Sequence, residues 1–385
     1  MATNTLTDLI PDLYNSLDIV SRELVGFIPA VSSDMTYETA AVGQTVRSPV
    51  APASTATDVT AGATTPDDGE QTIGNTSMTI SKSRRVPIRW NGEQSLGVNN
   101  GGPGRSAIMV QQFAQGMRTL TNEIETDLAA LHLGASRAYG TAGTTPFATA
   151  NDYTDASNVL KILKDNGAPA GDNQLVIDTA AGATYLGKQS AVNAAGTESL
   201  LRQGVLLDLA GMSIRESAQV VTAAAGTGSS ATTDNAGYAV GATTITLASA
   251  GTGTILAGDS ITITGDSEKY VVVTGDADVS GGGTVVIAAP GLQKAIATSA
   301  TAITVSAAST RNMAFARSAI ALVTRAPALP VEGDAADDRT VITDPRSGLS
   351  FEVSMYKQYR QVQYELSIAW GVKAVKPEHI ALLLG

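Results

Sequence analysis

About ninety consecutive residues, 223–310, differ in composition from the rest of the chain, and they limit the folds open to it. Thr, Gly, Ala and Val dominate this segment, with only two basic and six acidic side chains. Short alternating stretches recur between Gly and Asp turns, a spacing typical of a small all-β barrel or sandwich. These stretches are TTITLAS, DSITITG, KYVVVTG, TVVIAAP and TAITVS. The flanking sequence mixes helix and strand patterns, so we predict an all-β domain inserted into an α+β domain at a point where the two chain ends lie close together.

The composition excludes several classes of chemistry. The 385 residues contain no Cys, which excludes disulfides, thiolate nucleophiles and Cys-type zinc sites. The net charge is −11 and the sequence has no block of Lys and Arg. Both features argue against a protein that binds nucleic acid by its sequence. The N-terminal sequence lacks a basic region followed by an apolar run, and no apolar stretch approaches the roughly twenty residues of a membrane span. We therefore expect a protein made in a cytoplasm, without a membrane partner.

Three features precede residue 145. Residues 5–26 carry apolar side chains at intervals of three and four, which predicts a terminal helix that packs outside its own domain. Residues 43–95 contain the strand-like stretches GQTVRSPVA and SMTISKSRRVPIRW around a turn-rich middle, which predicts a long two-stranded excursion. Residues 104–137 predict a helix of about 45 Å, long enough to serve as a spine. Its apolar stripe consists of Met109, Phe113, Met117, Leu120, Ile124, Leu128 and Leu131.

The remaining segments predict an α+β domain. NDYTDASNVLKILKDNGAP reads as a helix with Asp155 as its N-cap, and NQLVIDTAAGATYL reads as a strand followed by a short helix. NMAFARSAIALVTRAPALP, residues 312–330, reads as the strand on which the chain returns from the insertion. FEVSMYKQ and QVQYELSIAW both alternate as strands. One face of the second strand carries Val362, Tyr364, Leu366, Ile368 and Trp370.

The sequence contains no motif that indicates catalysis. There is no GxSxG, no phosphate-binding loop and no metal-ligand cluster of known spacing. The two histidines, His132 and His379, are interpreted as structural or surface residues. Asp67, Asp68 and Glu70 could bind calcium weakly, but a solvated loop tip explains them better because they lack the spacing of a dedicated site. We therefore expect no enzyme activity and no cofactor.

The basic cluster Arg84, Arg85 and Arg89 falls on the predicted β-excursion. One interpretation is a charged edge that prevents strand-to-strand aggregation. The other is a set of charge partners for a neighbouring subunit, and the sequence favours neither. A chain of this size with a spine helix, a projecting hairpin and a loose terminal helix has parts that gain stability only against other copies, which indicates an assembly protein.

The order of arm, long β-excursion, spine helix and α+β domain resembles the major capsid protein of tailed phages, the Hong Kong ninety-seven type of fold. NMAFARSAIALVTRAP and ELSIAWGVKAVKPEHIALLLG are similar to the C-terminal part of P-twenty-two-like coat proteins, where an apolar-Trp-Gly strand end precedes a turn with Lys or Arg, Pro and Glu. LVIDTAAGA, residues 175–183, is also similar to that group. The inserted segment falls where these coat proteins carry an extra β-barrel, although here it is poor in Lys and Arg.

The resemblance implies a division into domains. It assigns residues 1–42 to an N-terminal arm, 43–95 to an extended loop over a neighbouring subunit, 96–144 to the peripheral domain with the spine helix, 145–222 and 311–385 to the two parts of the axial domain, and 223–310 to the inserted β-barrel. Covalent crosslinking through Lys82 is not expected. The candidate inter-subunit contacts are Lys82, Arg84, Arg85, Arg89, Arg118 and Glu123.

The function that the resemblance implies is that of a shell protein, which forms hexamers and pentamers around double-stranded DNA. A scaffolding protein and a portal protein would be its partners, the host cytoplasm its place of assembly and the virion its location. An encapsulin-type nanocompartment shell is the first alternative, although the inserted barrel counts against it. A β-rich surface adhesin or decoration protein is the second, and the long helix counts against that.

Overall fold

The computed structural model describes residues 25–50, 56–62, 69–99, 105–149, 152–188, 208–343 and 348–385. The predicted helix at 5–26 lies outside them, except for its last two residues. The helices are α1 (Gly92–Asn99), α2 (Arg105–Ala129), α3 (Thr154–Asp165) and α4 (Thr179–Lys188), with short 3₁₀ turns at Ile28–Ala30, Ala130–Gly134, Val279–Gly281, Arg317–Ala319 and Pro377–His379. The α+β class predicted from the sequence is confirmed.

The strands of the first half are β1 (Ser32–Ala40), β2 (Thr45–Val50), β3 (Gly74–Thr79), β4 (Lys82–Asn91), β5 (Arg137–Gly140), β6 (Asn173–Ile177), β7 (Met212–Glu216), β8 (Thr222–Ala223), β9 (Ala231–Thr232) and β10 (Thr244–Leu247). Those of the second half are β11 (Ser260–Ile263), β12 (Lys269–Thr274), β13 (Gly283–Ile287), β14 (Ala302–Val305), β15 (Ser309–Ala316), β16 (Ile320–Pro327), β17 (Asp338–Thr343), β18 (Ser350–Gln358), β19 (Gln361–Ala374) and β20 (Ile380–Leu384).

A six-stranded sheet packs against the long helix α2. Its order is β1-β16-β19-β18-β17, and β4 pairs with the other edge of β19. The apolar stripe predicted for the helix is buried against the apolar face predicted for β19, and the rings of Phe113 and Tyr364 meet edge to face at 5.8 Å. The predicted helix 104–137 ends earlier than expected, because a 3₁₀ turn follows Ala129 before β5 begins. At 25 residues it is still about 37 Å long.

A second sheet joins the α+β core to the inserted segment. The core strands run β7-β6-β15-β20-β5, with α3 and α4 packed on one face around a separate apolar cluster. The order then continues from β5 into β12, β11, β14 and β9. The edge of the core sheet is therefore hydrogen-bonded directly to a strand of the insertion, through the pairing of Ala138 with Lys269 and of Arg137 with Tyr270.

The strands of residues 231–305 close into a six-stranded ring. The order is β9-β14-β11-β12-β13-β10, and the amides of Asp234 and Ala248 bond the carbonyls of Thr246 and Thr232 across the last gap. Its apolar core is Ala231, Ile245, Leu247, Ile255, Ile261, Ile263, Tyr270, Val272, Val279, Val285, Ile287, Leu292 and Ile303. The short strand β8 pairs with the start of β15, so the segment's two ends lie side by side, as an insertion requires. The division into domains stays a prediction.

Two local expectations differ from the structure. The stretch 312–330 is not one strand: β15 lies in the core sheet and β16 in the six-stranded sheet, joined by the 3₁₀ turn Arg317–Ala319. Asp155 is not the N-cap of α3, which begins at Thr154 after Tyr153. Its carboxylate instead accepts a hydrogen bond of 2.7 Å from the amide of Phe147, because a nearby loop needs an acceptor for a buried donor.

Candidate assembly interface

The strands β2 and β3 form a ribbon that pairs with no other strand of the described chain. Thr45 lies opposite Thr79 and Val50 opposite Gly74. The predicted strand GQTVRSPVA is confirmed as β2, while SMTISKSRRVPIRW splits into β3 on the ribbon and β4 in the six-stranded sheet. Beyond the ribbon the chain exposes Val59 completely and Ile73 by 70%. A two-stranded ribbon is marginally stable alone in water, so this one needs another surface along its length.

The base of the ribbon is held tightly to its own subunit. Met78 and Ile80 pack in a small apolar cluster with Ala40, Val323 and Ala369. The amide of Ser81 donates to the carbonyl of Trp370 at 3.0 Å, and the ammonium of Lys373 donates to the carbonyl of Ser77 at 2.7 Å. The ribbon therefore leaves the sheet from a rigid base.

Gly371 permits the close approach of this base to β19. A Cβ at Gly371 would lie 2.2 Å from the carbonyl oxygen of Thr79, which is backbone and not a flexible side chain. We expect Gly371→Ala to displace the ribbon base and to lower the free energy of unfolding by about 1–3 kcal/mol. Chemical denaturation measures the effect. Gly92→Ala is the control, since a Cβ there meets open space and should change stability by no more than about 0.5 kcal/mol. Equal effects of the two substitutions would contradict the close contact.

The predicted contact residues Lys82, Arg84 and Arg85 lie on β4, within the six-stranded sheet and not on the projecting ribbon. The reason is the alternation of β4, in which Ile88 and Trp90 are buried against the core and draw the strand into the sheet. The excursion predicted at 43–95 is thus shorter as a free ribbon than the sequence suggested.

These basic side chains have acidic partners within their own chain. The ammonium of Lys82 lies 2.6 Å from the carboxylate of Asp127, which also accepts from the indole N–H of Trp370 at 2.8 Å. Arg84 lies 3.4 Å from Glu123, another predicted contact, and Arg85 pairs with Glu365.

Several of the basic side chains on β4 remain accessible to a neighbouring subunit. The side chains of Arg84 and Arg85 remain 58% and 61% exposed, and Arg89 is also exposed. Arg118 lies on the exposed face of α2. Contact of any of these residues with another subunit stays a prediction.

The two histidines and the weak calcium candidates do not form a common site in the described residues. His132 and His379 are both buried, and burial lowers the pKa of His132. Of the weak calcium candidates, Asp67 and Asp68 lie outside the described residues, and Glu70 is exposed. Across the residues that can be placed, no group of three or more potential ligands could hold a metal ion, and no helix is long and apolar enough to cross a membrane.

Glu125 is a buried anchor that the sequence did not single out. It lies on α2 beside the apolar stripe and is completely buried. Its carboxylate oxygens accept hydrogen bonds from the amides of Phe27 (3.1 Å) and Ile28 (2.7 Å) and from the hydroxyl of Ser217 (2.8 Å). Burial raises the pKa of Glu125, although these hydrogen bonds oppose the shift. One side chain thus joins the arm, the long helix and the segment after β7.

Arg137 joins the inserted segment to the core. Its side chain is 2% exposed, and it contacts Glu268 of the insertion at 2.9 Å, Asn166 at 3.1 Å and Asp165 at 3.6 Å. Lys269, next along the insertion, donates to the carbonyl of Gly140. The inserted segment therefore forms an ion pair with its own subunit, in which the insertion supplies the acidic partner. Its low content of Lys and Arg gave no indication of this ion pair.

Comparison with known proteins gives structural matches but no sequence family. No family model matches the chain, and no curated protein does. A capsid structure of cyanophage P-SCSP1u is similar over 92% of this chain and 86% of its own, at 12% identity and a TM-score of 0.49. A structure from Mycobacterium phage Che8 is similar over 89% and 84%, at 13% identity and a TM-score of 0.46. A virus-like particle from Pyrococcus furiosus is similar over 98% and 100%, at 10% identity and a TM-score of 0.41.

The first two of these three structures come from phages.

Proposed function

We propose that this protein is the structural shell protein of a tailed phage or prophage and that it assembles from many identical copies. The observation that carries the proposal is the β2–β3 ribbon, which is fixed at its base and pairs with no other strand of the described chain. Such a ribbon gains stability from a surface that the described part of its own subunit does not supply, and another copy supplies it at every position of a closed shell.

The order of elements along the chain supports the same proposal. An arm anchored on Glu125, a projecting ribbon, a helix of 25 residues and a sheet with a ring-shaped insertion follow one another as the sequence resemblance requires. Each contact between copies is modest, and repetition over the shell makes the assembly stable.

The arrangement of the copies, the contents of the shell and its partners follow from the sequence resemblance. The copies form hexamers and pentamers of an icosahedral shell that encloses double-stranded DNA in the virion, after assembly with a scaffolding protein and a portal protein in the host cytoplasm. The net charge of −11 agrees with DNA that is held by confinement and not by a basic surface.

Negative-stain electron microscopy of the purified, sedimented protein tests the proposal. Closed shells, spirals or tubes of ring-shaped units are the expected result. Monomers alone, persisting when the scaffold gene of the same source is co-expressed, would overturn it and favour an adhesin or decoration protein. Shells from the native source that hold an enzyme in place of DNA would identify a nanocompartment.

A ribbon-deleted variant tests the observation itself. Replacing residues 48–76 by Asn-Gly closes the ribbon with a two-residue turn between Arg47 and Ser77, which face each other. The contacts of Met78, Ile80 and Gly371 at the base stay in place, so we expect the subunit to fold and assembly to be lost. Unchanged circular dichroism with no particles in the micrographs is the predicted pair of results. Normal shells would contradict a role of the ribbon in assembly.

A further inference from the structure

One end of the six-stranded sheet carries a rigid, exposed turn. β18 and β19 are joined by Tyr359 and Arg360, with Gln358 opposite Gln361. Arg360 has a positive φ of 56°, and its carbonyl accepts a hydrogen bond of 3.1 Å from the amide of Gly92 at the start of α1. A residue other than Gly persists in this conformation where the surrounding structure holds it. The turn is therefore fixed to α1.

The turn and α1 expose apolar side chains beside a concavity. Tyr359 is 88% exposed and Leu96 of α1 is 65% exposed. The Arg360 guanidinium lies 5.7 Å from the centre of the Tyr359 ring. Next to the turn is an open concavity of about 800 Å³, with Trp90 and Val362 among the residues of its wall. Tyr, Trp and Arg are the residue types that dominate binding at protein interfaces. We call Glu93, Leu96, Tyr359, Arg360 and this concavity the tip surface.

The tip surface carries one charge of each sign that forms no ion pair within the described part of its own subunit. Glu93 lies in the first turn of α1, lines the concavity and is exposed. Arg360 also lines the concavity and has the Tyr359 ring as its neighbour. Among the described side chains, neither of these two forms an ion pair. A surface with both charges is complementary to a rotated copy of itself, since the arginine of each copy then meets the glutamate of the next.

We propose that the tip surface binds the tip surface of another copy of this chain. Tyr359 enters the concavity of the partner, and Arg360 pairs with Glu93 of the partner subunit. On one side of the contact lie Tyr359 and Arg360, and on the other lie the concavity and Glu93 of the partner subunit. Because these two parts of the tip surface differ, repetition of the contact by rotation closes a ring of copies. The inference rests on the proposed function, and it names the surface and the residue pair through which the shell subunits meet at this end of the sheet.

A charge exchange tests the proposed pair. Arg360→Glu and Glu93→Arg, made singly, place like charges opposite each other in the contact. We expect each to raise the protein concentration needed for assembly at least about 10-fold, and the double variant Glu93→Arg/Arg360→Glu to recover most of that loss. Sedimentation of assembled particles over a concentration series measures it. Circular dichroism and thermal unfolding of the unassembled chain show that each variant folds.

Tyr359→Ala tests the apolar part of the contact, with Val240→Ala as its control. Val240 is 63% exposed in the inserted segment, between β9 and β10, and is not part of the tip surface. We expect at least a 10-fold weaker assembly for Tyr359→Ala and none of this change for Val240→Ala. Wild-type assembly with no effect of Tyr359→Ala, or with single charge variants that the double variant fails to rescue, would overturn the tip contact and leave the proposed function standing. Absence of wild-type assembly would overturn the proposed function itself.

Discussion

Replacing Glu125 with Ala is expected to lower the free energy of unfolding by about 3–5 kcal/mol. The substitution removes the acceptor for the amides of Phe27 and Ile28 and for the hydroxyl of Ser217, all at 3.1 Å or less. Two backbone donors then stay buried without a partner, and the completely buried side chain leaves a void beneath the arm. Guanidinium denaturation of the unassembled chain measures the loss, and faster hydrogen exchange at the two amides would locate it.

Glu125→Gln removes the titrating group and keeps one of the two acceptor oxygens, since the other becomes an amide donor. Because burial raises the pKa of Glu125 above its ordinary value of 4.5, the folded chain binds the proton more tightly than the unfolded chain does. The stability that this group contributes is therefore full below pH 4.5 and is lost as the pH rises through the raised value. The difference in unfolding free energy between wild type and Glu125→Gln should shrink in that direction. A difference that is independent of pH, or a loss below about 1 kcal/mol for Glu125→Ala, would contradict the anchor.

Replacing Arg137 with Met is expected to lower the free energy of unfolding by about 2–3 kcal/mol and to loosen the inserted ring from the core. The guanidinium is almost completely buried and contacts Glu268, Asp165 and Asn166. Removing one partner of a buried ion pair costs about 3–5 kcal/mol, and the partly exposed carboxylates, which water can still reach, place the value at the low end or below. Amide hydrogen exchange on β5 and β12, which pair beside this contact, reports the loosening.

Lys161→Ala is the matched control for Arg137→Met. Lys161 belongs to the same network, at 2.8 Å from Asp165 and 3.8 Å from Glu268, but its side chain is 57% exposed. An exposed ion pair contributes about 0–1 kcal/mol, so the exchange of β12 should stay as in wild type. Equal losses for the two variants would show that burial of Arg137 is not what holds the ring to the core.

Periodicity alone predicted the elements whose burial is one-sided. The helix stripe from Met109 to Leu128 and the β19 face from Tyr364 to Trp370 were both visible as repeats, and the structure packs them against each other. The five short strands of the inserted segment were also predicted, since alternation between Gly and Asp turns is a local property. The sequence by itself therefore determined the mixed helix-and-strand class, the long helix and the all-β character of 223–310.

Tertiary structure decided the features that depend on which segments meet. Residues 312–330 look like one strand, yet β15 and β16 lie in different sheets, because their partners come from distant parts of the chain. The basic side chains on β4 find Asp127, Glu123 and Glu365 at 45, 39 and 280 positions away, which spacing along the sequence does not reveal. Glu125 and Arg137 are ordinary charged residues in the sequence. They become anchors only because folding buries them where backbone donors and carboxylates from other segments converge.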